Sequence, residues 1–304
     1  MSLVRIPRAA RSPVGTLCLL ACVALTAGLL PWSAFGQSAD ASAPAAETPG
    51  GFLERYVLGR NVLGIGWAHI HTVDSSKPVR TSTSSLHLGT YQSPGTETMV
   101  SDSDTLVLTF THFFTDNIAA TFAFGLPPKF KLTGRGNVIA PVPVVGPLTL
   151  VDLGAPENNP LATVREWSPT LLLLYYFGDN DTKFRPFLGA GVNYTFFTDV
   201  KLKRNFEKQL RDLGPLLELG MGKPPTGPAK VGVDVESSWQ PVVTAGIQYE
   251  FAKNWFSIGS VSFLPLKSTA TITLKNQASE TLAVNKVDIE FNPVVFRLAL
   301  GYRF

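Results

Sequence analysis

Cysteine and charge are both scarce in this 304-residue chain. Its two cysteines, Cys18 and Cys22, lie in an N-terminal leader, so the remainder has no disulfide, no thiol nucleophile and no cysteine-based metal site. Charged residues make up 16%, against about 25% in a typical soluble domain. With 45% hydrophobic residues, that composition excludes disorder and speaks against an ordinary cytosolic enzyme. The net charge is only +3, and three leader arginines account for all of it, which leaves nucleic acid no basic footprint. A phosphate-cradling glycine loop is also missing: Gly64-Ile65-Gly66 lies in a strand pattern and opens no helix.

What is present begins with an address. Arg5, Arg8 and Arg11 precede the apolar run Val14 to Leu30, and Ala34-Phe35-Gly36 has the small-x-small form of a cleavage site. The reading is a cleaved signal peptide over residues 1–36 and export. A retained membrane helix would need a longer apolar run. A lipoprotein signal ending at Cys22 would leave apolar Val23 to Leu30 as its tether. Residues 37–60, rich in Ala, Pro and Ser at first, read as a flexible periplasmic lead-in.

From Asn61 onward the pattern has period two. In Phe184 to Phe197 one face carries Pro186, Leu188, Ala190, Val192, Tyr194 and Phe196, and the other Arg185, Phe187, Gly189, Gly191, Asn193 and Thr195. Such alternation means a strand between two different environments. Asn61 to Thr72, Thr105 to Phe114, Ile118 to Leu126, Pro169 to Phe177, Ser238 to Phe251, Trp255 to Leu264 and the C-terminal run to Phe304 complete a set of eight. Short links (Thr115 to Asn117, Gly178 to Lys183, Ala252 to Asn254) alternate with long ones near 73–104, 127–168, 198–237 and 265–287. An even strand number with this alternation is the plan of an all-β, eight-stranded antiparallel transmembrane barrel over residues 61–304, with short periplasmic turns and long extracellular loops. Phe113, Tyr175, Phe177, Trp255 and Tyr302 flank the short turns, where an aromatic girdle belongs. A soluble sandwich or lipocalin-like barrel would carry Lys and Glu on its second face, which here holds Gly, Ala and Thr.

The runs Thr170 to Phe177, Phe184-Arg-Pro-Phe-Leu-Gly-Ala-Gly191, Ser238-Trp239 and the ending Gly301-Tyr-Arg-Phe304 resemble the OmpW family of small outer-membrane barrels. The resemblance implies a narrow, largely hydrophobic lumen that passes or binds small hydrophobic molecules, with an exit sideways into the membrane, in the outer membrane of a Gram-negative bacterium. It also implies that some members serve as receptors. Positions where the family constricts the lumen with apolar residues fall on Ala123 and Ser262, implying a wider or differently gated passage. Phe304, a terminal residue shared by most outer-membrane barrels, is the expected contact for the barrel-assembly machinery.

Strand parity gives a lumen lining without the family: Thr109, Thr111, Ala123, Leu172, Leu174, Phe187, Val242 and Val295 are the expected lumen residues. Inward Gly64, Gly189, Gly191, Gly246 and Gly301 leave space among them, which suits an apolar ligand as well as it suits plain packing. Arg185, Glu250, Arg297 and Arg303 share inward parity and need pairing or water. His69 and His71 share one strand face near the outer rim, where two histidines could begin a metal site, but no third ligand is evident, so no metal and no cofactor are expected. Ser84, Ser85 and His87 are neighbours in a polar loop, too little for an enzyme. In the third long link Phe206, Leu210 and Leu213 have helical spacing, and Gly214-Pro215 reads as the stop. Basic Lys201, Lys203, Arg204, Lys208 and Arg211 around it are either a solvated face or a contact for lipopolysaccharide beside the outer-membrane lipid. The expected function is a channel or binding barrel for small hydrophobic molecules; the alternative is a structural or receptor barrel that presents its loops.

Overall fold

The computed structural model describes residues 60–179 and 181–304. The expected signal peptide (1–36) and the lead-in as far as residue 59 lie outside the described residues. Eight strands form the barrel: β1 (Asn61–His71), β2 (Ser103–Phe113), β3 (Ile118–Gly125), β4 (Thr170–Tyr176), β5 (Phe184–Leu202), β6 (Ser238–Ala252), β7 (Trp255–Phe263) and β8 (Val294–Arg303). All neighbouring pairs are antiparallel. β1 pairs with both β2 and β8, and the β4–β5 pairing closes the ring. The chain end finishes the seam, with the Phe304 N–H donating to Asn61 O at 3.0 Å. Asn254 makes the two-strand turn before β7 with φ 67, a left-handed conformation that asparagine tolerates.

Alternation sorts the side chains as the pattern predicts. Leu63 and Ile65 on β1, Leu171 and Leu173 on β4, and Leu298 and Leu300 on β8 are more than half exposed. No water-soluble surface carries such a continuous apolar belt; a bilayer covers it. Rings bound the belt at both edges. Trp255 packs on Tyr302 (5.0 Å) beside the short turns, while Trp167 stacks on Phe196 (6.1 Å) and Tyr194 meets Trp239 (4.7 Å) on the opposite side.

The long links are folded. β5 spans 19 residues, about twice what a bilayer crossing takes. Its outer half pairs with Ala162–Trp167, that strand with Lys129–Arg135, and that with Glu97–Val100, so the barrel wall continues outward as a flap. A second sheet joins Lys230–Val235, Leu266–Lys275, Thr281–Phe291, Arg80–Thr83 and Gly89–Gln92. Two helices, α1 (Arg204–Asp212) and α2 (Gly214–Gly220), bury Phe206, Leu210 and Leu217 in the same core as Val151, Leu274 and Leu282. The first helix ends before Gly214-Pro215, as expected, and the same pair opens a second helix that the spacing did not announce. Proline is tolerated in a first turn because its missing N–H would have no intrahelical partner there. Lys203 is tied down as well, donating to Pro156 O (3.3 Å) and Asn159 O (2.5 Å).

Candidate functional site

The periplasmic half of the lumen is filled. Phe187 is 1% exposed and sits against Tyr176 (5.0 Å), which meets Phe113 (5.0 Å). The inward glycines of β5 and β6 make this fit possible: a Cβ on Gly246 would strike the Phe187 ring, and one on Gly189 would strike Leu174. Their space is therefore occupied by neighbours. The inward charges finish the seal. Arg185 lies over the Tyr176 ring (5.2 Å) and donates to Asp116 O (2.5 Å), and Arg303 lies over Phe256 (4.6 Å). Glu250 accepts from the Asn254 N–H (3.2 Å).

Above this seal the lumen opens into a cavity of about 120 Å³. Ala123, Leu172, Val242 and Val295 line it with Ala68 and Ile70. Arg297 reaches its edge, donating to Ser260 Oγ at 3.1 Å. Thr109, Thr111, Leu174 and Phe187 are buried outside this lining: Thr111 and Thr121 share a hydrogen bond (2.7 Å), and Leu174 and Phe187 belong to the seal. Ser262 lines the cavity beside Ala123 and donates to Thr244 Oγ1 (2.9 Å).

The cavity also touches the outside. Phe124 and Leu126 are exposed on the outer surface, yet they line it together with Pro128. The backbone explains this. The β3–β4 ladder ends at the pair Ala123–Thr170, and pairing resumes only at Lys129–Arg165. Across the interval, residues 124–128 face residues 166–169 with one backbone bond among the described residues, from Glu166 N–H to Pro128 O (3.2 Å). Pro127, Pro128 and Pro169 have no N–H to give, so this stretch of wall cannot zip. The gap lies at the level of Trp167, hence at the outer girdle.

Asn193 holds the rim of the gap. It is 0% exposed. Its Nδ2 donates to Thr170 Oγ1 (2.7 Å) and Ser168 O (3.1 Å), and its Oδ1 accepts from Thr195 Oγ1 (2.7 Å). Ser168 and the Thr170 side chain are thereby tied to β5, while the Thr170 backbone makes the last pair with β3.

A second cavity, of about 140 Å³, lies in the extracellular core between flap, second sheet and helices. Phe130, Leu132, Val164, Phe206, Ile272 and Phe291 are typical of its walls. An apolar cavity of ~150 Å³ accommodates benzene, so each cavity has single-ring dimensions. Glu166 belongs to both. It sits on the flap strand Ala162–Trp167, outside the spanning strands, and its Oε1 accepts from Ser168 Oγ (3.2 Å). Burial pushes its carboxyl up to about 7, opposed in part by that hydrogen bond. Near neutral pH the junction between the cavities thus has a carboxyl poised between neutral and charged.

Glu166, Asn193 and Pro128 are absent from the sequence-derived lumen residues. Glu166 falls in a stretch read as loop, although Ala162, Val164 and Glu166 alternate with Thr163, Arg165 and Trp167. Ser85 of the polar loop is buried against Gly220, and among the described residues no serine hydroxyl hydrogen-bonds His87.

A family model described as OmpW family matches residues 65–223 and 225–304. The chain is 29% identical over 208 residues to outer membrane protein W of Vibrio cholerae serotype O1, covering 68% of this chain and 77% of the relative. It is 24% identical over 219 residues to the dibenzothiophene metabolism operon protein PahQ of Pseudomonas aeruginosa, covering 72% and 80%. The crystal structure of the outer membrane protein OprG from Pseudomonas aeruginosa superposes with a TM-score of 0.59 at 23% identity, over 81% of this chain and 96% of that one, a likeness of fold.

Proposed function

Because the chain belongs to the OmpW family and is a barrel of the Gram-negative outer membrane, we propose that it admits small hydrophobic molecules, each cavity holding about one ring at a time, and releases them sideways into the membrane. The observation that carries this reading is the stacking of two apolar cavities that share Glu166, above a sealed lower barrel and beside a gap in the wall. A molecule enters the extracellular cavity, passes Glu166, Ser168 and Asn193, reaches the chamber walled by Ala123, Leu172, Val242 and Val295, and leaves between β3 and β4 past Phe124 and Pro128. The driving force is transfer of apolar surface out of water, roughly 25 cal/mol per Å². No step makes or breaks a covalent bond. The relative named for a dibenzothiophene metabolism operon supports an apolar aromatic cargo.

Lipopolysaccharide contact belongs to the same reading. Lys129, Lys131, Arg165 and Lys201 support it, since they stand in neighbouring rows of the flap above Trp167. Recognition of Phe304 by the assembly machinery is likewise proposed, its ring being exposed on the finished barrel.

The route has its own test. Phe187→Ala loosens the lower seal without touching the upper chamber or the gap. Uptake of a labelled apolar solute is expected to equal that of the unmodified protein, with the band shift between unboiled and boiled gel samples confirming the folded barrel. A several-fold gain in uptake would mean that the cargo runs straight down the lumen.

A further inference from the structure

We propose that the outer rim of β1 and β2 carries a site for a divalent transition-metal ion, built from His69, His71 and Asp102 and oriented by Asp104. The two histidines stand on the outward face of β1, with the His69 ring 6.0 Å from that of Trp67. Antiparallel register supplies what the histidine pair alone lacks: Asp104 of β2 lies directly opposite His69, and Asp102 comes two residues further out.

The hydrogen bonds prepare the donors. His69 Nδ1 is 2.9 Å from Asp104 Oδ1. That bond fixes the proton on Nδ1 and leaves the Nε2 lone pair free, 4.0 Å from Asp102 Oδ2. A carboxylate behind a ligating imidazole is the usual outer shell of a metal site. Asp102 is held too: its Oδ1 accepts from the Thr72 N–H (2.9 Å), so its Oδ2 faces the imidazoles, with His71 Nδ1 at 2.8 Å. One donor atom from each of the three residues lies within 4.8 Å of the others. Bonds of about 2.0–2.2 Å to a tetrahedral ion put donor atoms roughly 3.3 Å apart. Reaching that spacing needs small rotations of side chains at the surface, and the proton that His71 Nδ1 shares with Asp102 Oδ2 is released to water as the ion binds.

The donor set selects the ion. Two imidazoles and one carboxylate suit zinc, nickel or copper, whereas calcium and magnesium prefer all-oxygen shells. The site lies just outside the Trp67 ring, so the remaining coordination positions open to water and headgroups. Its ion would cross-link the first two barrel strands where they leave the membrane.

The test is calorimetric titration of zinc chloride into the folded full-length protein in detergent. One site per chain is expected. His69→Ala and Asp102→Asn are each expected to abolish it, and Asp104→Asn, which removes only the orienting carboxylate, to weaken it by about 10–100-fold. His112→Ala serves as the control, since His112 is engaged with Asn61 at the opposite end of β2. The gel mobility shift reports folding for each variant. Absence of the site in the unmodified protein, or affinity unchanged in His69→Ala or Asp102→Asn, overturns the proposal; unchanged affinity in Asp104→Asn removes the role given to that residue.

Discussion

Leu172→Arg is expected to cut uptake of an apolar solute to the level of cells without the protein, a loss of about tenfold or more, while the barrel still assembles. Leu172 is 5% exposed and forms part of the upper chamber with Val242. An arginine there fills much of a cavity of about 120 Å³ and sets a second guanidinium beside that of Arg297, which lines the same space. An apolar cargo must then displace a charge and its water at the position where Leu172 offered only apolar surface. Assembly should survive because the lipid-facing neighbours Leu171 and Leu173 are untouched. Leu171→Ala, one residue away on the opposite face, is the matched control and should leave uptake unchanged. If the arginine variant fails to give the folded band, Ala123→Phe fills the same chamber with no charge and carries the same expectation. Undiminished uptake in a folded Leu172→Arg or Ala123→Phe barrel would remove the chamber from the route.

The second large effect concerns Glu166. Its carboxyl ionises near 4.5 when free and at about 7 in the fold, because burial penalises the charge. Between those values the folded chain keeps a proton that the unfolded chain has lost. Stability contributed by this group is therefore full below about pH 4.5 and falls as pH rises through about 7. One pKa unit is about 1.4 kcal/mol, so the ionised carboxyl costs the fold about 3 kcal/mol at high pH. Glu166→Gln keeps the shape and removes the titration. In urea unfolding followed by tryptophan fluorescence, the variant should match the unmodified protein near about pH 4 and exceed it by about 3 kcal/mol near about pH 9. The same ionisation charges the junction of the two cavities. Apolar uptake should fall between about pH 6 and about pH 9 in the unmodified protein and stay level in Glu166→Gln. Parallel pH profiles for the two proteins would show that Glu166 is not at the junction.

The barrel was legible because membrane strands write their environment into every second residue. β5 alternates from Phe184 to Phe197 with lipid on one side and a lumen on the other, and that contrast survives in a single sequence. The extracellular fold was harder to read for two reasons. Leu266–Lys275 also alternates, with Ala270, Ile272 and Leu274 against Thr269, Thr271 and Thr273, but its contrast is mild and the eight spanning strands were already complete without it. Helix α2 begins at the very Gly214-Pro215 pair that suggests a stop, since glycine and proline mark a boundary without saying on which side the helix lies.

The site was legible only where parity suffices. Ala123, Leu172, Val242 and Val295 face inward by counting, and they share the upper chamber. Leu174 and Phe187 have the same parity, yet their depth along the strand assigns them to the seal, where Gly189 and Gly246 leave room for their side chains. The gap in the wall needed register as well. Pro127, Pro128 and Pro169 are plain in the sequence, but 40 residues separate them, and nothing local brings them together across β3 and β4. Asp102 and Asp104 reach His69 and His71 by the same means, through the pairing of β1 with β2.

The most direct test of the account is uptake of a labelled apolar solute by cells with and without this protein, beside a polar solute of equal size. Two apolar cavities above a sealed lower barrel predict a gain for the apolar solute alone. An equal gain for both would reveal a continuous water-filled pore and contradict the seal formed by Phe187, Tyr176 and Arg185.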